Sequence, residues 1–203
     1  MLKFDMTKYV VNSGNVDGNE IKAKKFFAEV FKDIGKEPKI LLCFFAIGRQ
    51  YWETKFEEKS ELLTPFIPTN THAKFFMAMP DDFEKQCSDS DVIYIQGGDD
   101  HLVQYWLGKF DLPKIWDGKV IATSSASSHA LSKQYWTCDW RKCNEGLGIL
   151  PIKFLAHFKS EYGTSDPRGP IDWDKARKEL EEFGDKSLQI YALEEGDFEI
   201  FEK

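Results

Sequence analysis

The sequence predicts an α/β protein in which a mostly parallel sheet is flanked by helices on both faces. Short, nearly uninterrupted apolar runs alternate along the chain with amphipathic helical patterns. Strands that are apolar throughout are typical of parallel sheets covered on both faces, and strand–helix alternation supplies the right-handed crossovers that such sheets need. A chain of 203 residues can bury a substantial core, and we expect one domain over residues 1–203.

Five apolar runs predict the strands of this sheet. The first, KYVVNSG, ends in a Ser-Gly turn signal, and the second, PKILLCFFAIG, is apolar nearly throughout. The next two are HAKFFMAM and DVIYIQGG, of which the latter runs into a glycine pair, and the last is KVIATSS. These runs occupy residues 8–14, 38–48, 72–79, 91–98 and 119–125.

Helical patterns fill the intervals between these strands. In residues 19–35 apolar side chains recur at spacings of three and four, and Gly35 stands where a helix is expected to end. The first part of 51–67 is helical up to a proline, and a proline with two acids opens a short helix over 80–90. A further helix over 99–110 begins at the glycine pair.

The C-terminal part carries three further signals. Residues 163–170, GTSDPRGP, are rich in turn formers and predict a surface loop. A helix is expected over 171–184, ending at Gly184. The last segment, 188–202, predicts a hairpin that turns near Glu195 and Gly196.

Composition restricts the possible partners and the location of the protein. The chain has 27 basic and 34 acidic side chains and a net charge of -7, which argues against nucleic acid or an anionic membrane as a partner. We find no signal peptide and no apolar run long enough to span a bilayer, and therefore expect a cytoplasmic protein, either a monomer or a homodimer. No spacing predicts a metal or other cofactor; four reduced cysteines are expected, at Cys43, Cys87, Cys138 and Cys143.

Ligands of an open parallel sheet bind beyond the carboxyl ends of its strands, which directs attention to the loops after Gly14, Gly98 and Ser125. The third of these lies in the serine-rich stretch IATSSASSHALS, residues 121–132. A small-residue turn between a strand and a helix is typical of a nucleophile elbow, which presents a hydroxyl above the sheet. The alternative is that these hydroxyls only cap the following helix, since Ser and Thr are favoured at that position.

Three segments together resemble the dipeptidase E and cyanophycinase family of serine peptidases. They are VIYIQGGDDHLVQYWL, GKVIATSSASSHAL and EGLGILPIKFLAHF, between about residues 91 and 158. The family has a Gly-rich turn, then Gly-x-Ser-Ala-Gly, then a Gly-Leu-Gly segment before an apolar strand that ends in His. The resemblance implies the class I glutamine amidotransferase-like fold, a three-layer sandwich. It also implies hydrolysis of short peptides, with aspartyl peptides among the candidates, through an acyl-enzyme and without a cofactor.

The resemblance also implies the members of a catalytic triad. The nucleophile falls on Ser125 and the general base on His157, while the acidic third member falls on Glu195, with Glu194 as the alternative. Such a set is chemically sensible because a neutral serine needs a base to take its proton, and that base needs a carboxylate to hold its tautomer.

The resemblance also implies the oxyanion donors, whereas the candidate substrate contacts follow from position and residue type. The oxyanion donors fall on the backbone amides of Gly98 and Ala126. Candidate substrate contacts are Asp99 and His101, which follow the glycine pair, and Arg168, which could bind a substrate carboxylate.

The elbow departs from the family pattern at two positions. Thr123 and Ser127 stand where the family has Gly, and their bulk would loosen a tight turn. The second hypothesis is therefore a catalytically degenerate pseudoenzyme, or a small-molecule binding module, of the same fold. His129 follows Ser125 by four residues and is expected to pack or to line the rim, because it cannot easily fold back to the hydroxyl.

Overall fold

The computed structural model describes residues 6–203, which form ten strands and six α-helices. Short 3-10 helices occupy Arg49–Tyr51, Thr64–Phe66, Pro80–Asp82 and Lys114–Trp116. In chain order the main elements are β1 (Lys8–Asn12), α1 (Glu20–Val30), β2 (Lys39–Cys43), α2 (Trp52–Leu63), β3 (Lys74–Met77), α3 (Phe83–Asp89), β4 (Val92–Ile95), α4 (Asp100–Leu107), β5 (Val120–Ser124), α5 (Ala126–Leu131), β6 (Ser132–Thr137), β7 (Lys142–Glu145), β8 (Leu150–Leu155), α6 (Trp173–Glu182), β9 (Ile190–Ala192) and β10 (Phe198–Glu202).

The larger sheet has six strands in the order β10-β1-β5-β4-β2-β3, and only β10 runs antiparallel to its neighbour. The prediction of an α/β fold with a mostly parallel sheet is therefore confirmed. Strands β1, β5 and β4 lie side by side, with Asn12 opposite Ser124 and Ile95 opposite Thr123. This register brings the three loops that follow these strands together at one edge of the sheet.

A second sheet of four strands, in the order β7-β6-β8-β9, was not predicted in full. The apolar strand that leads to His157 is its β8, which pairs in parallel with β6 and β9. Strand β6 follows α5 directly at Ser132, because α5 spans only six residues. The helix after the elbow therefore passes the chain straight from the larger sheet to the smaller one.

The C-terminal segment turns at Glu195 and Gly196 as predicted, but the strands on either side of the turn pair with different neighbours. Strand β9 joins β8 in the smaller sheet, and β10 joins β1 in the larger one. The turn is held at the end of β1, where the side-chain amide of Asn12 donates to the Gly196 carbonyl at 3.1 Å and the Gly196 amide donates to the Gly14 carbonyl at 2.8 Å. Glu195 is thereby placed beside the carboxyl edge of the larger sheet.

The apolar core is rich in phenylalanine, and six such rings are fully buried in the main cluster: Phe26, Phe27, Phe44, Phe45, Phe83 and Phe154. A smaller cluster between the second sheet and α6 includes Trp136, Leu155 and Leu180. Close packing of this kind makes a rigid base for the loops above it. Among the helices of residues 6–203, none combines the length and the apolar character that crossing a membrane requires.

Candidate active site

Ser125 lies at the sharp turn between β5 and α5, in a backbone conformation that side-chain-bearing residues rarely adopt. Its φ is 53° and its ψ is -113°. Surrounding hydrogen bonds hold this strain: the Ser125 amide donates to the Asn12 carbonyl at 3.0 Å, and its carbonyl accepts from the amides of Ser128 and His129. Strain that is held in this way is found mostly at functional sites. The hydroxyl consequently projects above the carboxyl edge of the sheet.

The hydroxyl of Ser125 is the first member of a continuous hydrogen-bonded line. Its Oγ lies 2.9 Å from Nε2 of His157, and Nδ1 of His157 lies 2.9 Å from Oε1 of Glu195. A carboxylate only accepts hydrogen bonds, so the Nδ1–H of the neutral ring donates to Glu195. Nε2 is then left with a lone pair that faces the serine hydroxyl, which is the arrangement a general base requires.

Several contacts fix the position of His157. Its backbone has a φ of 56°. Its amide donates to Ser13 Oγ at 2.7 Å, and the Ser13 hydroxyl in turn donates to the Leu193 carbonyl at 2.7 Å. The ring of Tyr162 stacks on the imidazole with centroids 4.3 Å apart, and its hydroxyl donates to Asp139 at 2.8 Å. The imidazole is thus held by its backbone on one side and covered by an aromatic ring on another.

Glu195, and not the neighbouring Glu194, contacts the histidine. Its second carboxylate oxygen accepts from the side-chain amide of Asn15 at 2.6 Å, and its carbonyl accepts from Lys22 at 2.9 Å. Glu194 is exposed. The Glu195 carboxylate therefore accepts hydrogen bonds both from Asn15, in the loop after β1, and from the imidazole of His157.

Electrostatics favour a neutral base and an ionised acid. Burial lowers the pKa of His157 below its ordinary value of 6.5, and the adjacent Glu195 carboxylate counteracts this only in part. Burial acts to raise the pKa of Glu195, but the hydrogen bonds from Asn15 and His157 outweigh it, so the pKa lies below its ordinary value of 4.5. At neutral pH the imidazole can accordingly accept a proton.

Two glycines allow the loops to meet this closely. A Cβ atom at Gly14 would lie 2.4 Å from Cε1 of His157, and one at Gly97 would lie 2.4 Å from the Ser124 carbonyl oxygen. Both distances are far shorter than any real carbon contact, so a larger residue at either position would displace the site.

A small cavity of about 10 Å³ lies against Ser125, and Gly98 and Ala126 are part of its wall. Within residues 6–203 the backbone amides of these two residues have no hydrogen-bond acceptor. The volume is close to that of a single water-sized group. Two unpaired amides beside Ser125 can donate to an oxygen that gains negative charge there.

A larger cleft of about 220 Å³ opens on another side of Ser125. It runs from Gly14 and Asn15 past Gln96 to Lys59 on α2, and we call it the main cleft. No group of three or more His, Cys, Asp or Glu side chains in residues 6–203 is arranged to hold a metal ion.

Comparison with solved structures identifies the fold. The chain superposes on a peptidase from an acI-B1 actinobacterium with a TM-score of 0.60 and 22% identity, over 95% of this chain and 81% of that one. It also superposes on a peptidase E protein from Listeria monocytogenes EGD-e with a TM-score of 0.61 and 13% identity, over 98% of each chain. The chain has the peptidase E fold. No model of a protein family and no curated protein matches the sequence.

The resemblance noted in the sequence is thus confirmed as one of fold, and the two departures from the peptidase E elbow can be judged in the structure. The Ser127 hydroxyl donates to the Ile95 carbonyl at 2.6 Å and accepts from the Ser124 amide at 2.9 Å. Thr123 Oγ1 lies 2.8 Å from the Ser128 hydroxyl, which donates to the Asn12 carbonyl. Both extra side chains are buried and hydrogen-bonded, and Ser125 keeps its strained turn beside them.

The structure does not bring three predicted substrate contacts to the site, because none of them lines either cavity at Ser125. Asp99 caps α4, accepting from the Leu102 amide at 2.7 Å, since a carboxylate stabilises a helix N-terminus. His101 is exposed and packs edge-to-face on Trp140. Arg168 is held away from the site by an ion pair with Asp166 in its own loop and by the Asp139 carbonyl.

Sequence reasoning missed a second His–Asp pair next to the elbow. His129 is buried as packing predicts, and its Nδ1 lies 2.8 Å from Oδ1 of Asp100, which also accepts from Thr137. Burial would raise the pKa of Asp100, but proximity to His129 and these hydrogen bonds lower it. The imidazole stacks on Tyr135 with centroids 4.6 Å apart. The pair ties α4, α5 and β6 together beneath the small cavity.

Proposed function

We propose that the protein is a serine peptidase that hydrolyses short peptides through an acyl-enzyme on Ser125. The observation that carries this proposal is the 2.9 Å approach of Ser125 Oγ to His157 Nε2 from a strained elbow. A serine that serves only as a helix cap needs neither a positive φ nor a histidine oriented by a carboxylate. The side chain of Ser125 makes no capping hydrogen bond to its helix.

Acylation follows from the positions of the side chains. His157 Nε2 takes the proton of Ser125 as Oγ attacks the scissile carbonyl carbon, and Glu195 stabilises the imidazolium that forms. The carbonyl oxygen becomes an oxyanion, which the amides of Gly98 and Ala126 can stabilise. When the tetrahedral intermediate collapses, the C–N bond breaks and His157 delivers its proton to the leaving amine.

Deacylation repeats these steps with water. His157 takes a proton from a water molecule whose oxygen attacks the acyl carbon, and the same oxyanion donors are used again. The Oγ–C bond then breaks, Ser125 recovers a proton from His157, and the acid product leaves. Apart from the peptide and one water molecule, every group used in these steps belongs to the chain.

The substrate class is a short peptide, with aspartyl dipeptides among the candidates. The small cavity and the main cleft, which meet at Ser125, suit a ligand of one or two residues. Both solved structures of this fold named above are peptidases, which supports a peptide substrate.

Hydrolysis of a dipeptide panel, followed by mass spectrometry of the products, tests the proposal. We expect turnover by the wild type and a loss of about 10⁴–10⁶-fold in kcat for Ser125→Ala. Ser88→Ala, at an exposed serine of α3, is the matched control and should retain full activity. Turnover that survives Ser125→Ala would refute the nucleophile. A folded wild type that hydrolyses nothing would favour the binding module instead.

A further inference from the structure

The main cleft contains a cation that has no carboxylate partner. Lys59 lines the same cleft as Ser125, and its ammonium lies 5.7 Å from the centre of the Tyr94 ring. Within residues 6–203 it forms no ion pair. Lys55, one turn earlier on the same helix, pairs with Glu58 at 2.6 Å instead. Lys59 therefore differs from Lys55 in two ways: it lines the main cleft, and it has no carboxylate within ion-pair distance in the described residues.

The surroundings of this ammonium leave a charge to be compensated. Burial lowers the pKa of Lys59, and Asp17, exposed at the rim of the cleft, raises it without coming into ion-pair distance. An ammonium withdrawn from water without an anionic partner costs free energy. A carboxylate that enters the cleft would remove that cost.

A second polar group in the cleft also lacks a partner. Gln96 follows β4 and lines the same wall, and its side-chain oxygen is buried with no hydrogen-bond partner in the described chain. The two ends of an amide group can exchange by rotation of the side chain, so Gln96 can offer N–H groups to a ligand. An ammonium together with an amide is a suitable receptor for a carboxylate.

We propose that Lys59 and Gln96 bind a carboxylate of the substrate in the main cleft. This inference rests on the proposed peptidase function and assigns a specificity determinant to it. The small cavity on the other side of Ser125 supports the choice, because its wall includes Asp100 and Asp139 and no lysine or arginine. The wall of the main cleft instead combines Lys59 with one exposed aspartate, Asp17, so a substrate carboxylate is favoured beside Lys59 over the small cavity.

Two groups could supply this carboxylate: the C-terminus of a dipeptide, or an acidic side chain on its first residue. Aspartyl-leucine, its C-terminal amide and asparaginyl-leucine separate the two sources. The amide and asparaginyl-leucine each lack one of the two carboxylates, so we compare kcat/KM for aspartyl-leucine with kcat/KM for each of them. We expect Lys59→Met to lower one of these two ratios about 10–100-fold, which corresponds to the loss of one charged hydrogen bond. The peptide whose ratio changes identifies the source.

Lys55→Met is the matched control, and it should leave both ratios unchanged. Gln96→Leu should lower the same ratio as Lys59→Met, by about 3–10-fold, because it removes a neutral hydrogen bond. If both ratios stay unchanged in Lys59→Met, the carboxylate site is refuted while the peptidase function stands.

If the wild type shows no turnover, binding of aspartyl-leucine to the Ser125→Ala variant still tests the carboxylate site separately from the peptidase function. We expect calorimetry to show that Lys59→Met in this background weakens binding of aspartyl-leucine about 10–100-fold, and Lys55→Met does not. That result without wild-type hydrolysis would refute the peptidase but keep the carboxylate site. Equal affinity in the Lys59→Met and Lys55→Met variants, or no binding in either, would overturn the site.

Discussion

The geometry of three side chains accounts for the proposed chemistry at the scale of single residues. Ser125, His157 and Glu195 form one line of hydrogen bonds, although they come from three separate parts of the chain. Each is held by a further contact: Ser125 by its turn, His157 by Ser13 and Glu195 by Asn15. Preorganisation of this kind lets the base act without prior rearrangement.

Glu195→Gln tests the role of the carboxylate. Activity needs a neutral His157. The activity is therefore present above the pKa of His157 and is lost as the pH falls through that pKa. Because burial lowers this pKa, the acid limb of kcat/KM in the wild type should have its midpoint below 6.5. The Glu195 charge counteracts the shift, so Gln should move the midpoint to still lower pH and reduce kcat about 10³–10⁴-fold.

The control for this experiment is Glu194→Gln, which changes an exposed neighbour and should leave the whole pH profile intact. A midpoint that moves to higher pH in Glu195→Gln would contradict the assignment of Glu195 as the partner of His157.

The sequence could suggest the triad but not the residues that support it. Ser125, His157 and Glu195 each stand in a motif that resembles a family. Asn15 and Glu195 are separated by 180 positions, and Ser13 and His157 by 144, so no local pattern reveals these contacts. Tyr162 stacks on His157 from a loop whose composition indicates only turns.

At the scale of elements, the elbow depends on how β5 and α5 are joined to the strands beside them. Hydroxyls of the serine-rich stretch bond to the carbonyls of Ile95 on β4 and Asn12 on β1. Ser127, which replaces a glycine, therefore bonds to β4, and Thr123, the other replacement, contacts the Ser128 hydroxyl that bonds to β1. Ser125 keeps its conformation between them.

Ser127→Gly separates these structural and catalytic effects. It removes a buried hydroxyl that bonds to Ile95 and Ser124 and adds backbone freedom, so the free energy of unfolding should fall by about 1–3 kcal/mol in denaturant titrations. The reactivity of Ser125 should stay the same or rise, because the turn gains the family's glycine. Ser127→Ala, which removes only the hydroxyl, is the control. Lost reactivity in a folded Ser127→Gly protein would show that the hydroxyl shapes the nucleophile.

The elements that were predicted correctly are those with a long apolar pattern. Strands β1, β2, β4 and β5 are buried almost throughout, and their apolar runs stand out in the sequence. Strands β6 and β7, SKQYWT and KCNE, mix polar and apolar residues, and nothing local distinguishes them from loops. The pairing of β9 with β8 likewise depends on tertiary packing.

At the scale of the whole molecule, the smaller sheet carries His157 and is anchored through α6. Lys153 on β8 has a fully buried side chain whose ammonium donates to the carbonyls of Leu180, Glu181 and Phe183 at 2.7, 3.1 and 2.6 Å. These carbonyls belong to the C-terminal end of α6, where backbone acceptors lack partners within the helix. One lysine therefore joins the strand that leads to the base with the helix that covers it.

Lys153→Met keeps most of the side-chain volume and removes the donor. Three carbonyls at the end of α6 would lose a charged partner, so we expect the free energy of unfolding to fall by about 2–4 kcal/mol. Lys178→Met, on the exposed face of α6, should change it by less than about 0.5 kcal/mol. Equal stability of the two variants in denaturant titrations would contradict this role of Lys153.

Covalent labelling of Ser125 by an organophosphonate tests the central claim most directly, because the reaction needs an activated serine but no knowledge of the substrate. We predict one adduct per wild-type chain, located at Ser125 by peptide mass mapping, with none on Ser124 or Ser128. Ser125→Ala should abolish the adduct, and His157→Ala should slow labelling by about two orders of magnitude or more, because the triad works as a unit. A folded wild-type protein that remains unlabelled would contradict the account.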